Sequence, residues 1–347
     1  MSRECAAAFA PGRVNLIGEH TDYNGGLALP FSIAQGITVC ARRSGEPYIS
    51  AHAADLGEDD RFGLRDRSPA RGWRAFVRGV VAELGAAGLA AGGARLQIGG
   101  DLPRGAGLSS SAALEVALCL ALIALRGRDG EELDRLQVAQ LCSRVESEWV
   151  GARTGLLDQV ASLFGEPHAA LLIDFSTLAI EPVPLRLHGW RLIVVDSGER
   201  HAHASSGYNE RRSECERASR LLGVRLLAEA QLEEIERLAE PLRSRARHVI
   251  DETRRVEQAV AALRADDLQA VAALLNASQA SLRDCYEVST AAMERTVREL
   301  LEAGAAGARM IGGGFGGSAL AMFAPSSEPP QGTLQVRPGR GAHVLED

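Results

Sequence analysis

Three observations predict an α+β protein of two lobes. A chain of 347 residues exceeds what one ordinary domain needs and leaves room for a second lobe and a cleft. Strand-like and helix-like segments are segregated irregularly, rather than alternating as a βαβ series would. With 46% apolar and 24% charged residues, the composition is that of a folded globule and excludes wholesale disorder.

Taken in order, GITVCAR (36–42) and ARLQIGG (94–100) carry branched residues in alternation and predict strands. The apolar run from Ala112 to Leu125, interrupted by Glu115, predicts a buried helix ending at Gly127. It is too short to span a bilayer. EELDRLQVAQLCSRVESEWV (131–150) predicts a second helix, with Leu133, Leu136, Leu141, Val145 and Trp149 on one stripe. LLIDF (171–175) and RLIVVDS (191–197) predict buried strands, and amphipathic helices fill the chain from Ser206 to Ala303. A glycine cluster, GGGFGG (312–317), a strand-like SALAMF and a polar loop, APSSEPPQGT (324–333), follow. Two prolines and a composition shift in IEPVPLRLHGW (180–190) place the lobe boundary there, giving lobes of 1–183 and 184–347.

The formal charge of -7 gives no reason to expect a nucleic-acid partner. Six scattered cysteines, with no C-x-x-C pair and no signal peptide, predict reduced thiols in a cytoplasmic protein. No lysine occurs; all 38 basic side chains are arginine. That excludes the lysine-bearing phosphate loop, the strand lysine of protein kinases and any lysine Schiff base. Phosphate chemistry in this chain must use backbone amides, arginine and metal.

DLPRGAGLSSSAALEVALCLAL (101–122) runs from a strand through a Pro/Gly loop and three serines into a strong helix. Glycines let the backbone close on a ligand, and first-turn amides plus the helix dipole make an anion site. An ordinary serine-capped helix is the plainer alternative, but three serines behind G-x-G-L favour phosphate. Ser109 or Ser110 can cap the helix, while Ser111 can turn its hydroxyl to a Mg²⁺ bridging phosphates.

APGRVNLIGEHTDYNGG (10–26) places Arg13, Glu19, His20, Asp22 and Asn24 within twelve positions, in a segment too polar for core. Short-armed acceptors on a tight loop suit a polyol, whose hydroxyls both donate and accept. The nearby planar arginine suits a transferring phosphoryl group. A solvated turn with local ion pairs is the plain alternative, and a metal site a further one. In ESEWVGARTGLLDQVASLFG (146–165), Asp158 stands amid apolar residues after a glycine turn and needs a partner or a function. Glu148 follows Arg144 by four and predicts a surface pair. Glu146, at the edge of the buried stripe, is the better Mg²⁺ candidate.

SGERHAHASSGYNERRSECERA (197–218) carries His201, His203, Tyr208, Arg211 and Arg212. The histidine pair is a weak metal signal without a third ligand, and ERRSECER reads as a solvated helix face. GGGFGG spells G-x-G-x-x-G, but no βαβ unit fits the 30 residues left after it. It reads instead as a loop packed closely on a ligand or strand.

These residues together resemble a known family. GRVNLIGEHTDYNGG is similar to the galactokinase signature, LPRGAGLSSSAA to the second motif of the GHMP small-molecule kinases, and GARMIGGGFGG (307–317) to the third. SGERH…SSGYNERRSECE and SLRDCYEVS (281–289) also resemble galactokinase segments, so the likeness runs from about Pro11 to Met322. The resemblance implies two α+β lobes with the active site in the cleft between them. It implies phosphorylation of the anomeric C1 hydroxyl of D-galactose to galactose 1-phosphate, with ATP and Mg²⁺, by a cytoplasmic monomer with no nucleic-acid or membrane partner. Asp158 matches the catalytic aspartate and Arg13 its assisting arginine. Glu19, His20, Thr21, Asp22 and Tyr208 match sugar-binding positions, and Gly155 adds backbone contacts. Gly105, Ala106, Gly107, Leu108, Ser109, Ser110 and Ser111 match the phosphate loop, with Ser111 and Glu146 as Mg²⁺ ligands. WRAFVRG (73–79) is similar to the stretch bordering the adenine pocket.

The chain departs from the pattern at Leu157 (often methionine), Ile311 (threonine), Ser318 (cysteine) and Gln279 (histidine). APSSEPPQGT stands where the family usually has a helix, so the second lobe is expected to pack less well, and activity to suffer if its sheet is left uncovered. A kinase for N-acetylgalactosamine or arabinose, and a sugar- and ATP-binding sensor without turnover, are the alternative functions.

Overall fold

A computed structural model describes residues 3–103, 105–127, 134–200 and 204–346. The chain begins with β1 (Cys5–Asn15), a 3₁₀ turn (Asp22–Asn24), β2 (Leu27–Ala28), β3 (Pro30–Arg43), β4 (Tyr48–Ala53) and β5 (Glu58–Gly63). It continues through α1 (Trp73–Ala86), β6 (Ala94–Gly100), α2 (Ser110–Arg126), α3 (Arg135–Val145), a π turn (Glu146–Val150) and α4 (Leu157–Phe164). Strands β7 (Ala169–Asp174), β8 (Ala179–Pro184) and β9 (Arg191–Arg200) follow. Helices α5 (Ala204–Leu222), α6 (Leu232–Ile235), α7 (Leu242–Arg264), α8 (Leu268–Asp284) and α9 (Ala291–Glu302) fill most of the second half. Strands β10 (Gly307–Met310), β11 (Gly316–Phe323), β12 (Leu334–Val336) and β13 (His343–Leu345) close it.

The strands form a six-stranded sheet in the order β13-β1-β3-β6-β4-β5, a four-stranded sheet β10-β11-β9-β12, and a three-stranded sheet β2-β7-β8. Every pairing is antiparallel except β4 with β6. This mixture of sheets and helix groups is the α+β arrangement expected.

α2 organises the first core. It is apolar all round and buried from Ala112 to Leu125, as a helix inside a core must be. It lies on β1 and β3, where Ala6, Ala8, Ala10 and Ala41 turn small side chains inward and allow close approach. Truncating a fully buried leucine here, such as Leu118, costs about 2–5 kcal/mol. A second cluster joins the start of the chain to β9, α7 and α8, and a third lies under α5, α7 and α9.

The predicted strands and the α2 helix stand where expected, α2 ending at Gly127 in the left-handed conformation. The helix expected over 131–150 is not one regular helix. Its described part runs from Arg135 and loosens into a π turn at Glu146; Leu133 lies outside the described residues. The segment 180–190 holds the end of β8 and the connection to β9. The four-stranded sheet is not left uncovered, because α8 and α9 pack on it and the chain beyond the third motif adds β12 beside β9. β13 then returns to the six-stranded sheet beside β1. Among the described residues no helix is long and apolar enough to cross a membrane.

Candidate active site

Two segments far apart in sequence meet at one ion pair. Arg13, near the end of β1, is buried, and its Nε and Nη2 donate to the two carboxylate oxygens of Asp158 at 2.7 and 2.9 Å. Its Nη1 donates to the Gly107 carbonyl at 2.7 Å, tying the glycine loop to the same place. Bidentate pairing fixes the carboxylate plane as well as its position. Asp158 lies in the first turn of α4, where the helix dipole favours negative charge.

On one side of this pair is a cavity of ≈ 270 Å³, lined by Glu19, His20, Asp22, Gly155, Tyr208 and the Gly312–Gly314 backbone as well as by Arg13 and Asp158. The tight turn after β1 supplies three of these. His20 takes φ 63°, and Asn24 holds the turn by donating to the His20 carbonyl at 2.7 Å. His20 shares its Nδ1 with the Tyr23 hydroxyl at 2.8 Å, and its ring lies 5.2 Å from Tyr208 and 4.7 Å from Tyr286. Its Nε2 is buried without a hydrogen bond among the described residues. Burial, with His248 nearby, lowers the His20 pKa to about 3, so the ring is neutral. Burial raises Glu19 to about 7, against the pull of Arg309 and Arg13, and Glu19 Oε1 accepts from the Gly312 amide at 2.7 Å. Burial and then the neighbouring Asp158 raise Asp22 to about 6. At Gly155 any Cβ would run into the Asp22 carboxylate, so only glycine fits.

On the other side lies a cavity of ≈ 370 Å³, lined by Gly105, Ala106, Gly107, Leu108, Ser109, Ser110 and Ser111 and by the Gly312–Gly317 loop between β10 and β11. Gly105 and Gly107 have φ of 68° and 65°, and that turn carries the chain into the first amides of α2. Arg13, Asp158 and Gly312–Gly314 border both cavities. A third cavity, ≈ 280 Å³, continues past Ser110 and Ser111 between Trp73, Phe76, Leu56 and Leu102. WRAFVRG therefore reaches the site through Trp73 and Phe76.

Ser111 donates to Glu146 Oε1 at 3.1 Å, and Thr154 donates to Oε2. Burial, with Asp158 nearby, raises Glu146 to about 7 despite these hydrogen bonds. Among the described residues no group of three or more His, Cys, Asp or Glu could hold a metal ion. Mg²⁺ needs no such cage, because it keeps waters and substrate phosphates and takes one or two protein oxygens. The hard oxygens of Ser111 and Glu146, and a buried acid short of counter-charge, fit that ion.

Some expectations are corrected. Thr21 does not line the cavity of Glu19, His20 and Asp22; its buried hydroxyl donates to the Gly18 and Leu27 carbonyls and braces the turn. Neither Ser109 nor Ser110 caps α2 through its side chain. Ser109, at φ 58°, turns its hydroxyl to Asp158 Oδ2 instead. Arg144 pairs with Glu83 at 3.0 Å, leaving Glu148 exposed. ERRSECER is not merely a solvated face, since Arg211 is buried and donates to the Tyr286 carbonyl, and Arg212 donates to the carbonyls of Arg153 and Thr154. His201 and His203 lie outside the described residues.

Other residues escaped the sequence reading. Thr154 carries no pattern of its own. Arg245, His248 and Glu252 did leave a signal, being polar positions on the buried stripe of α7. Of the departures, Ile311 is buried in the second core cluster. Gln279 donates to Ser289 and Glu294, while its Oε1 accepts from Met310 N. Ser318 is buried with no hydrogen bond to its hydroxyl among the described residues.

Comparison with known proteins agrees with this geometry. The galactokinase galactose-binding signature matches residues 2–43, the GHMP kinase N-terminal domain 75–166 and the GHMP kinase C-terminal domain 259–337. Galactokinases of Roseiflexus sp. and Streptomyces coelicolor are 42% and 40% identical, over 92% and 90% of this chain and 83% of each relative. The crystal structure of Lactococcus lactis galactokinase complexed with galactose superposes with a TM-score of 0.91 at 33% identity, covering 99% of this chain and 96% of that one. A Methanococcus jannaschii mevalonate kinase, at 17% identity and a TM-score of 0.70, shares the fold. The chain belongs to the galactokinase family of GHMP kinases, and is a kinase that uses ATP as a substrate.

Proposed function

We propose that this chain transfers the γ-phosphoryl group of ATP to the C1 hydroxyl of galactose, giving galactose 1-phosphate, at the Arg13–Asp158 pair. The observation that carries this reading is the position of that pair on the wall shared by the Glu19–Tyr208 cavity and the Gly105–Ser111 cavity. A donor in one and an acceptor in the other can meet only there.

In this reading galactose lies in the cavity of Glu19, His20, Asp22, Gly155 and Tyr208. Neutral His20, with a free buried Nε2, and the carboxylates suit the paired donors and acceptors of a polyol. ATP lies along Gly105–Ser111 with its phosphates on the loop and first α2 amides, and its base in the apolar cavity of Trp73 and Phe76. Asp158 accepts the C1 hydroxyl proton and aims its oxygen at the γ-phosphorus. The Ser109 hydroxyl, donating to the same carboxylate, supports the fit of an alcohol at that edge. Arg13 holds the carboxylate by two hydrogen bonds and places positive charge beside the transferring group. Ser111 and Glu146 would hold Mg²⁺, which would supply charge neutralisation on the phosphates.

Six free cysteines suit a cytoplasmic protein. A division into lobes near residue 183 fits the chain leaving β8 there for β9. The deciding experiment is a coupled ADP-release assay over galactose, N-acetylgalactosamine, arabinose and glucose. Galactose is expected to give the highest kcat/KM, and preference for another sugar overturns the substrate assignment. Sugar and ATP binding without ADP release establishes a sensor instead.

A further inference from the structure

We propose that Glu115 and Gln159 form a buried bridge that orients Glu146, making Glu115 a positioning residue for the metal site. The proposal rests on the assignment of Ser111 and Glu146 to Mg²⁺.

Glu115 interrupts an otherwise apolar stretch of α2 and follows Ser111 by four residues, one helical turn deeper in the core. Gln159 follows Asp158 directly on α4. Both are fully buried, and none of their four side-chain polar atoms has a hydrogen bond among the described residues. A buried carboxyl and a buried amide left unpaired are expensive, and a leucine at 115 would suit this helix better. Two such groups side by side, directly behind the acceptor acid and the metal ligands, imply a shared task.

Gln159 is the side chain that both the Glu115 carboxyl and the Glu146 carboxyl interact with. One amide nitrogen carries two donors, so it can serve both carboxyls at once. Glu146 is otherwise held by Ser111 and Thr154, the first of which must turn toward a cation when one binds. Through Gln159, Glu115 fixes the Glu146 carboxylate when the Ser111 contact is exchanged. Partners behind a metal ligand commonly change affinity by 10- to 100-fold when removed, roughly the scale expected here.

The test compares E115Q, E115L and E146Q. Mn²⁺ binding is read by electron paramagnetic resonance in the presence of a non-hydrolysable ATP analogue, alongside the Mg²⁺ half-saturation and galactose KM of turnover. E115Q can still pair with the Gln159 amide and is expected to bind Mn²⁺ as the native chain does. E115L is expected to weaken Mn²⁺ binding about tenfold and to raise the Mg²⁺ half-saturation equally, with galactose KM unchanged. A merely structural role would move the melting temperature without this selectivity. Native Mn²⁺ affinity in folded E115L, with E146Q weakened, overturns the bridge and leaves the metal assignment standing. Native affinity in E146Q overturns the metal assignment and the bridge with it. Should E115L not fold, Q159M carries the same test, and native Mn²⁺ affinity there overturns the proposal.

Discussion

Glu19 and Glu252 sit in one buried charged network and both feel Arg309, but they are driven in opposite directions. Burial raises Glu19 to about 7. Burial alone would raise Glu252 too, but Arg255, His248, Arg309 and the Ser278 hydroxyl outweigh it and hold the acid at about 2. Glu252 accepts from Gly18 N at 3.0 Å, Ser278 at 2.6 Å and Arg255 at 2.7 Å, and Arg255 serves it directly. Glu19 has Arg309 Nη2 at 3.2 Å but shares that cation, since Arg309 Nη1 donates to the Asn15 and Leu16 carbonyls, and Arg13 is committed to Asp158. Asp22, which lines the same cavity as Glu19, and the buried Glu146 are raised as Glu19 is. Glu252 thus has counter-charge of its own, while Glu19, Asp22 and Glu146 are left short of it, and among the site's acids Asp158 alone is matched by a bidentate arginine.

The sharpest way to break this division is at Asp158, which on the cleft side has a cation to itself. Asp158→Asn keeps an oxygen for Arg13 but removes the acceptor for the sugar proton. It is expected to fold, to bind galactose by calorimetry, and to lose kcat by roughly 10²–10⁴-fold, the usual contribution of a general base. Near-native kcat in the coupled assay removes Asp158 from that role.

Glu252→Gln tests the supporting side. Its folded pKa lies below the ordinary value of 4.5, so its stabilisation is present above about pH 4.5 and fades as pH falls toward about 2. The shift corresponds to about 3 kcal/mol. Denaturant unfolding at pH 7 is expected to show most of that loss in E252Q, and the gap between variant and native chain should narrow as pH falls below 4.5. A constant gap across pH places the effect in packing instead.

Glu19→Gln should do the reverse. A folded pKa raised to about 7 gives a contribution present below about pH 4.5 and lost as pH rises through 7, so the ionised form burdens the fold above that. E19Q is expected to melt no lower than the native chain at pH 8, while galactose affinity by calorimetry falls about tenfold through a weakened hydrogen bond. A large loss of stability with intact affinity would put Glu19 with Glu252 and erase the contrast.

How much of this was legible in the sequence follows the same line. Strands, the α2 helix and the loop-to-helix motif announce themselves by local pattern, and they place Arg13, Asp158 and Ser109–Ser111 on the correct segments. The direction of a side chain is decided by neighbours from elsewhere. Thr21 and Asp22 are adjacent, yet the Thr21 hydroxyl turns back to the Gly18 and Leu27 carbonyls while Asp22 faces the cavity. Ser109 looks like a cap until Asp158, 49 residues away, takes its hydroxyl. The π turn at Glu146 cannot be read from a stripe of period 3.6, because it changes that period where the acid must enter the core.

Arg212→Ala carries the smallest expected effect and probes how the sugar side is supported. Arg212 Nη1 donates to the Arg153 and Thr154 carbonyls at 2.6 and 3.2 Å, and its guanidinium lies 5.5 Å from the centre of the Tyr23 ring. It thus fastens the loop that ends in Gly155 to α5, beside the tyrosine that holds His20. The acceptor acid, its arginine and the phosphate loop are untouched by the change. Each lost hydrogen bond is worth about 1 kcal/mol, part of which the loop recovers by bonding to water. Galactose KM is therefore expected to rise about three- to tenfold with kcat nearly native. An equal fall in kcat would mean that the 152–155 loop also sets Asp158, joining two supports that the geometry keeps separate.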